Sequence, residues 1–331
     1  MINSAVIGLG VIGRVHISAI TSLENTRLVA VCDTDPAKKD LAPGTAFYTD
    51  IEELLRKEKI EVAHICLPHF LHYPVAKKIA EVGANILVEK PLAMNFKEGE
   101  ECCKLEKKHK IKICLCLQNR LNTTTETLYA ILRKGEYGKV LGIRGSVAWY
   151  RSKEYYEAAP WRGIMAESGG GCMINQAIHT MDLMQYFVGS PISSIKGTIG
   201  QVLDYGIEVE DTATGRITFE NGAHGLFTAS VANYTDENAE ISVRCEKAEF
   251  ILRDKKLLKR KDGAEELLAE DTGEYAGKKV YGSSHIKVID KFYRAIETGG
   301  DDYIHPEEGL PSLRMIDAIV ESSKTGKIIK I

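Results

Sequence analysis

The chain has 331 residues, which suits two domains with a sizeable core. It carries 43 lysines and arginines against 46 acids, a net charge of −3, so it has no global basic field for nucleic acid. No apolar run approaches the ~18 residues of a membrane span, and the first strand starts too early for a signal peptide. A soluble, cytoplasmic protein is expected. Eight cysteines show no CxxC pair and no disulfide framework, which points to a reducing compartment. Cys32, Cys66, Cys114 and Cys116 sit in apolar runs, where a thiol acts as a small buried hydrophobe.

The first elements are the most informative. Ala5-Val6-Ile7 reads as a strand, Gly8-Leu9-Gly10-Val11-Ile12-Gly13 as a turn, and Ile12 to Ser22 as a helix. A second apolar strand, Leu28 to Cys32, ends on Asp33, twenty residues after Gly13. A lone G-x-G-x-x-G is weak evidence, but strand, turn, helix and acid together form the dinucleotide fingerprint. Gly8 permits the tight turn, Gly10 leaves room for a pyrophosphate, and Gly13 lets helix and strand approach. The helix start favours phosphate, with the backbone of Val11 and Ile12 in its first turn. Asp33 accepts from ribose hydroxyls and repels a 2′-phosphate, so NAD is favoured over NADP.

Alternation continues along the chain. Asp35-Pro36 starts a helix. Val62 to Leu67, Ile86 to Val88 and Lys112 to Leu117 read as strands; Tyr73 to Val82 and Phe96 to Lys108 read as helices. Strands apolar throughout and separated by helices imply a parallel sheet covered on both faces. The first domain is therefore placed at residues 1–118 and the second at 119–331. Strands are expected at Lys139–Tyr150, Ile192–Gln201, Thr212–Glu220, Ala223–Ala232 and Ala239–Cys245, with one main helix at Met173–Phe187. Asn221-Gly222 and Asp254-Lys255 read as hairpin turns, so this half is largely antiparallel. Asp262–Gly282 reads as a polar excursion, followed by helices near Ser284–Glu297 and Pro311–Ser323 and a strand at Lys327–Ile331.

Three stretches carry candidate chemistry. Pro68, His69 and His72 follow a strand of the parallel sheet, where ligands bind beyond the carboxyl ends. The histidines either face a cofactor or pack at a helix start, and no third residue at suitable spacing supports a metal. Glu89-Lys90-Pro91 follows the next strand and is either a surface ion pair or a lysine aimed at the nicotinamide end. Asn175, His179 and Asp182 follow Gly169-Gly170-Gly171 at i, i+4 and i+7, sharing one helix face. The glycines allow close approach to a ligand, and a polar stripe on a buried helix demands partners or a function.

These residues resemble the glucose–fructose oxidoreductase, inositol dehydrogenase and MocA family. The likeness runs through Gly8 to Gly13, Pro68 with His72, Glu89-Lys90-Pro91 and Gln118-Asn119-Arg120. It continues through Tyr155-Tyr156, Pro160-Trp161-Arg162-Gly163, the triple-glycine helix, and Glu307 to Lys327. The resemblance implies an α/β architecture: an N-terminal Rossmann fold and a C-terminal α/β domain with a large, mostly antiparallel open sheet. It implies an NAD(P)-dependent dehydrogenase acting on CH–OH groups of a sugar, cyclitol or sugar nucleotide. Lys90 and His179 fall on the catalytic lysine and histidine, and the Lys90–Pro91 bond is expected to be cis. Asn175 stands where many relatives carry aspartate, so it can only orient the substrate or His179. Pro68, His72, Glu89, Lys90 and Gln118 are expected to line the cofactor; Lys90, Trp161, Arg162, Asn175 and His179 are expected to line the substrate. A homodimer or homotetramer is expected, built on the bare sheet face of Lys139–Tyr150 and Ala223–Ala232, which is expected to be a large apolar patch. Two rival readings remain: an NAD-using glycosidase of this fold, and a non-catalytic dinucleotide-binding regulator.

Overall fold

Short apolar strands with helices between them form the first sheet, as their composition demands. The structure, a computed structural model, describes residues 1–272 and 284–331. It divides into two units, each with its own sheet.

The first unit contains β1 (Ile2–Ile7), α1 (Val11–Ser22), β2 (Thr26–Cys32), β3 (Ala46–Tyr48), α2 (Ile51–Lys57), β4 (Val62–Ile65), α3 (His72–Glu81) and β5 (Asn85–Glu89). Most of α4 (Phe96–His109) and all of β6 (Ile113–Cys116) complete its sheet region. The six strands are parallel in the order β3-β2-β1-β4-β5-β6. That order reverses between β1 and β4, the crevice where a doubly wound sheet takes its ligand. Two elements escape the sequence reading. β3 is three half-buried residues at an edge, and α2 is a seven-residue helix capped by Asp50, whose side chain accepts from Glu53 N–H at 2.7 Å.

The boundary expected at Gln118 needs one correction. A later segment, described from Ser284 to Leu310, belongs with the first unit and not with residues 119–272. Its helix, His285–Thr298, packs on α1, and Tyr293 Oη lies 2.6 Å from Ser4 Oγ on β1. Leu115 N–H of β6 donates to Ile304 O at 2.9 Å. Sequence proximity hid this return, because only the buried face of that helix specifies where it docks.

The second unit begins with α5 (Thr123–Lys134), β7 (Val140–Ala148), α6 (Lys153–Glu157), α7 (Met165–Ser168), α8 (Ile178–Val188) and β8 (Ile192–Gly200). Its remaining strands are β9 (Thr212–Phe219), β10 (His224–Ser230), β11 (Glu240–Cys245), β12 (Glu249–Arg253), β13 (Lys256–Lys261), β14 (Ala264–Glu270) and β15 (Ile329–Lys330). They form one sheet, β14-β13-β12-β11-β7-β10-β9-β8-β15, antiparallel except for the β7–β10 pair. Both expected hairpins form: Gly222 has φ +86°, and Asp254 and Lys255 have φ 54° and 61°. The expected excursion at Asp262–Gly282 starts instead as β14, and residues 273–283 lie outside the described residues.

One sheet face carries the core. Phe219, Phe227 and Phe250 are fully buried, each contributing roughly 2–3 kcal/mol through lost apolar surface. Gly145 of β7 lets α8 settle closely, because a Cβ there would meet Met184 Sδ at 2.5 Å. The opposite face corrects the expectation of a large apolar patch. Leu226 is exposed, but its register neighbours are Arg144 and Arg216. Around them, Thr198–Thr214, Thr228–Ser146 and Thr212–Ser230 pair through their hydroxyls at 2.9–3.2 Å. Among the described residues no helix is long and apolar enough to cross a membrane.

Candidate active site

The glycine turn of the first unit is built by exclusion. Gly8 has φ +95°, and a Cβ there would sit 2.3 Å from Cys66 O. A Cβ on Gly13 would sit 1.9 Å from Gly8 O. Gly10 differs: a Cβ there would meet nothing within 4 Å. It is the N-cap of α1, and no side chain caps the helix. The space beside Gly10 is thus open at the start of α1, where the first-turn N–H groups of Val11 and Ile12 and the positive end of the helix dipole lie. A dinucleotide pyrophosphate fits this cradle.

Asp33 closes the cradle from β2. Its Oδ2 accepts Leu9 N–H at 2.8 Å and its Oδ1 accepts Asp35 N–H at 3.0 Å. Lys38 Nζ reaches both oxygens, at 2.9 and 3.1 Å. Burial alone raises the carboxyl's pKa, but the N–H bonds from Asp35 and Leu9 and the Lys38 ammonium outweigh it and lower it. An anion is therefore held beside the glycine turn. Replacing Asp33 by Ser is expected to shift the ratio of NADP to NAD dissociation constants toward NADP by about tenfold, measured calorimetrically. Lys38 then loses its carboxylate and is available to a 2′-phosphate. An unchanged ratio would refute the discriminating role.

The strand ends place the other expected residues unevenly. Pro68 follows β4 and precedes a single 3₁₀ turn, His69–Leu71. The ring nitrogens of His72 are engaged by backbone carbonyls: Nδ1 lies 2.6 Å from Pro91 O and Nε2 2.8 Å from Leu67 O. His72 is thus a buried strut tying the end of β4 to the end of β5. Gln118 is buried where β6 gives way to a 3₁₀ turn. Glu89 is only 4% exposed, so the reading of Glu89-Lys90 as a surface ion pair fails. Lys90 N–H donates to Glu89 Oε2 at 3.2 Å, and the Lys90–Pro91 bond is cis.

Glu89 anchors a buried cluster that the sequence reading missed. His16 Nε2 lies 2.9 Å from Glu89 Oε1, and His285 Nε2 lies 3.6 Å from the same oxygen. His16 Nδ1 lies 2.8 Å from His64 Nδ1, and His64 Nε2 lies 2.9 Å from Tyr293 Oη. The signals were present: His16 sits one helix turn after Gly13, and His64 interrupts an apolar strand, where an imidazole must find partners. Burial pushes His16, His64 and His72 below the ordinary imidazole value. Burial alone raises Glu89, but the bond from His16 and the nearby His285 reverse it and hold it well below its ordinary value.

The sign of the stability effect follows. His16 and His64 hold a proton less readily when folded than when unfolded, where imidazoles titrate near about pH 6.5. Below that pH the unfolded chain binds more protons, so stability falls with pH, by up to about 1.4 kcal/mol per unit for each ring. The unfolding midpoint is expected to hold steady from pH 8 to 7 and to drop as the pH falls from 6.5 to 5. A flat profile in calorimetry would contradict this.

In the second unit, the expected helix Met173–Phe187 is two segments. Met173–Ala177 is a π-helical turn and α8 follows. The wider turn alters the i, i+4, i+7 face. Asn175, Gln176 and His179 share half-buried positions among buried neighbours, whereas Asp182 is buried. Asp182 instead grips Arg120 at both oxygens, 2.6 Å from Nη2 and 2.9 Å from Nε. The glycines before the π-turn serve packing. A Cβ on Gly169 would meet Met94 O at 2.6 Å, and one on Gly171 would meet Glu210 O at 1.8 Å. The Glu210 carboxylate accepts Gly171 N–H at 2.8 Å and Met173 N–H at 3.1 Å. Close approach at these glycines is made by Met94 at Gly169 and by Glu210 at Gly171.

Tyr155 is the residue the sequence reading undervalued. Its Oη lies 3.3 Å from Asn175 Nδ2 and 3.0 Å from Gln176 Nε2. Arg162 stacks over its ring at 4.2 Å and donates to Tyr155 O at 2.9 Å, with the Trp161 ring 5.8 Å away. Trp161, Arg162, Asn175 and His179 are all half-buried. Catalytic candidates therefore divide between units: Lys90 and the glycine turn in the first, Trp161, Arg162, Asn175 and His179 in the second.

Comparison with known proteins fits this division. Residues 2–115 match the oxidoreductase family with an NAD-binding Rossmann fold, and residues 125–251 match the GFO/IDH/MocA C-terminal domain. The chain belongs to the Gfo/Idh/MocA family of NAD-binding oxidoreductases. It is similar to D-glucoside 3-dehydrogenase of Escherichia coli, 24% identical, covering 99% of this chain and 97% of that protein. It is similar to inositol 2-dehydrogenase of Rhizobium meliloti, 22% identical, covering 100% and 99%. Two other relatives are matched over only 53% and 59% of their own lengths. Among solved structures, the WlbA dehydrogenase from Bordetella pertussis in complex with NADH and UDP-GlcNAcA has a TM-score of 0.87 at 25% identity, covering 100% of this chain and 98% of that one. The family, the α/β fold and the NAD-binding first domain are as the sequence implied.

Proposed function

We propose that this chain is an NAD-dependent dehydrogenase that oxidises a secondary hydroxyl of a sugar, cyclitol or sugar nucleotide, or reduces the matching ketone. The observation that carries the reading is the full-length likeness to the WlbA dehydrogenase in complex with NADH and UDP-GlcNAcA, together with the presence of Lys90 and His179. Gly8, Gly10, Val11, Ile12, Gly13 and Asp33 would hold NAD, which supplies the hydride acceptor. Pro68, Glu89, Lys90 and Gln118 line that cofactor, with His72 bracing the strand ends.

His179 takes the hydroxyl proton. Lys90 donates a hydrogen bond to the same oxygen and stabilises its developing charge. Asn175 cannot move a proton at ordinary pH, so it orients the substrate or His179, steadied by Tyr155. Trp161 offers a ring face. The Arg162 charge, stacked on Tyr155, suits an anionic or polyhydroxylated substrate. A panel of sugars, inositols and sugar nucleotides with NAD, followed at the NADH absorbance, tests the reading. Free sugar released without net NADH would favour the glycosidase alternative, and binding of NAD with no turnover the regulator.

The same reading includes a homodimer or homotetramer built on the exposed face of β7, β9 and β10. Arg144, Arg216 and the hydroxyl pairs give that face directional contacts around Leu226. Light scattering at micromolar concentration is expected to give at least twice the 36.6 kDa chain mass. Leu226→Asp should lower it, and a monomeric parent would refute the assembly.

A further inference from the structure

The buried cluster of the first unit contains more order than a packed set of polar groups requires. Ser4, His16, His64, Glu89 and Tyr293 are all buried. Unbonded polar groups in such surroundings are costly, so each link counts. The links form one line: Ser4 Oγ to Tyr293 Oη at 2.6 Å, Tyr293 Oη to His64 Nε2 at 2.9 Å, His64 Nδ1 to His16 Nδ1 at 2.8 Å, and His16 Nε2 to Glu89 Oε1 at 2.9 Å. The other Glu89 oxygen accepts the Lys90 backbone N–H.

The donors and acceptors of this line are not independent. An ionised Glu89 only accepts, so His16 Nε2 carries a hydrogen. A neutral His16 then has Nδ1 as acceptor, which makes His64 Nδ1 the donor. A neutral His64 in turn has Nε2 as acceptor, so Tyr293 Oη–H donates to it. Tyr293 Oη is left to accept from Ser4 Oγ–H. A single charge state at Glu89 thus assigns every hydrogen back to β1. A protonated Glu89 donating to His16 would require the reverse of every step.

We propose that Ser4, Tyr293, His64 and His16 form a hydrogen-bond chain of fixed direction that ends on Glu89 and holds its carboxylate ionised against the backbone of Lys90. These four are positioning residues for the lysine. The far end of the chain, Ser4, is fully buried, so the line is a clamp and not a proton exit to solvent. Other groups facing Glu89 fit the same charge. His285 Nε2 lies on the Oε1 side, Lys90 is its chain neighbour, and the thiols of Cys66 and Cys116 are pushed well up by burial with the Glu89 charge beside them. His72 also feels that charge, held between its two carbonyls.

The inference rests on the reading of Lys90 as a substrate-facing donor, and the experiment separates the two. The first arm needs no activity. Side-chain ¹⁵N spectra of the full chain labelled at histidine, assigned with His16→Gln and His64→Gln, are expected to show His16 with hydrogen on Nε2 and His64 with hydrogen on Nδ1 at pH 7. Tyr293→Phe removes one donor and little volume. It is expected to lower kcat about fivefold, with KM and the NAD dissociation constant within about twofold of the parent and the acid limb set by His179 unmoved. Ser4→Ala should lower kcat in the same way but less. Reversed tautomers, or a His16 imidazolium at pH 7, would overturn the chain. So would stoichiometric zinc in the purified protein that is lost with Cys116→Ser, because ligand atoms of His16, Glu89, Cys116 and His285 lie within 4.8 Å of one another. Correct tautomers with a parental kcat in Tyr293→Phe would overturn the link to Lys90. Absence of turnover in the parent with correct tautomers would count against the dehydrogenase reading alone.

Discussion

His179→Ala is expected to lower kcat by ~10²–10⁴, the usual contribution of a positioned general base. NAD affinity should stay near the parental value, because the glycine turn and Asp33 belong to the other unit. Lys90→Met should also lose turnover, since the developing oxyanion loses its donor. Asn175→Asp separates the roles. A carboxylate four residues before the imidazole should raise the pKa of His179 and move the acid limb of kcat upward in pH, while the parent already turns over well. The measurement is kcat against pH for the parent and three variants on the substrate found by the panel. Near-parental kcat for His179→Ala across pH would move the base role elsewhere.

Asp182→Ala is expected to destabilise the protein by about 3–5 kcal/mol, the cost of leaving a buried partner charge uncompensated. Arg120 is 6% exposed, grips Asp182 through two bonds, and lies over the Tyr186 ring at 4.7 Å. It cannot turn to water without dismantling that packing. The unfolding midpoint should fall by roughly 10 °C. Arg120→Met combined with Asp182→Leu should recover most of the loss, because no charge is then stranded. Calorimetry on the singles and the double tests this. A single variant within ~1 kcal/mol of the parent, or a double as weak as the singles, would mean that the pair is not a coupled buried unit.

The parallel sheet was legible because its signals are local. An apolar run, a glycine turn and a helix start are each set by neighbours a few residues away, and Gly8 and Gly13 have steric reasons that the structure bears out to the atom. The hairpins at Asn221-Gly222 and Asp254-Lys255 were legible for the same reason, since positive φ is a property of the turn itself. Family membership came from order and spacing along the whole chain, which no single turn could supply.

Polar groups were a different matter. Asp182 looked like one member of a site stripe, and its partner Arg120 lies sixty-two positions away. The triple glycine gave no sign of Met94 and Glu210, which press on Gly169 and Gly171 from distant positions in the chain. His16 and His64 went unread, although both find partners on other elements of the first unit. Sequence determined which segments become strands, turns and helices and where a dinucleotide is taken, because backbone sterics and periodicity act over short range. Tertiary structure alone decided which buried charges are paired, because a hydrogen bond depends on distance in space, and the chain brings residues together from separations that no local pattern encodes.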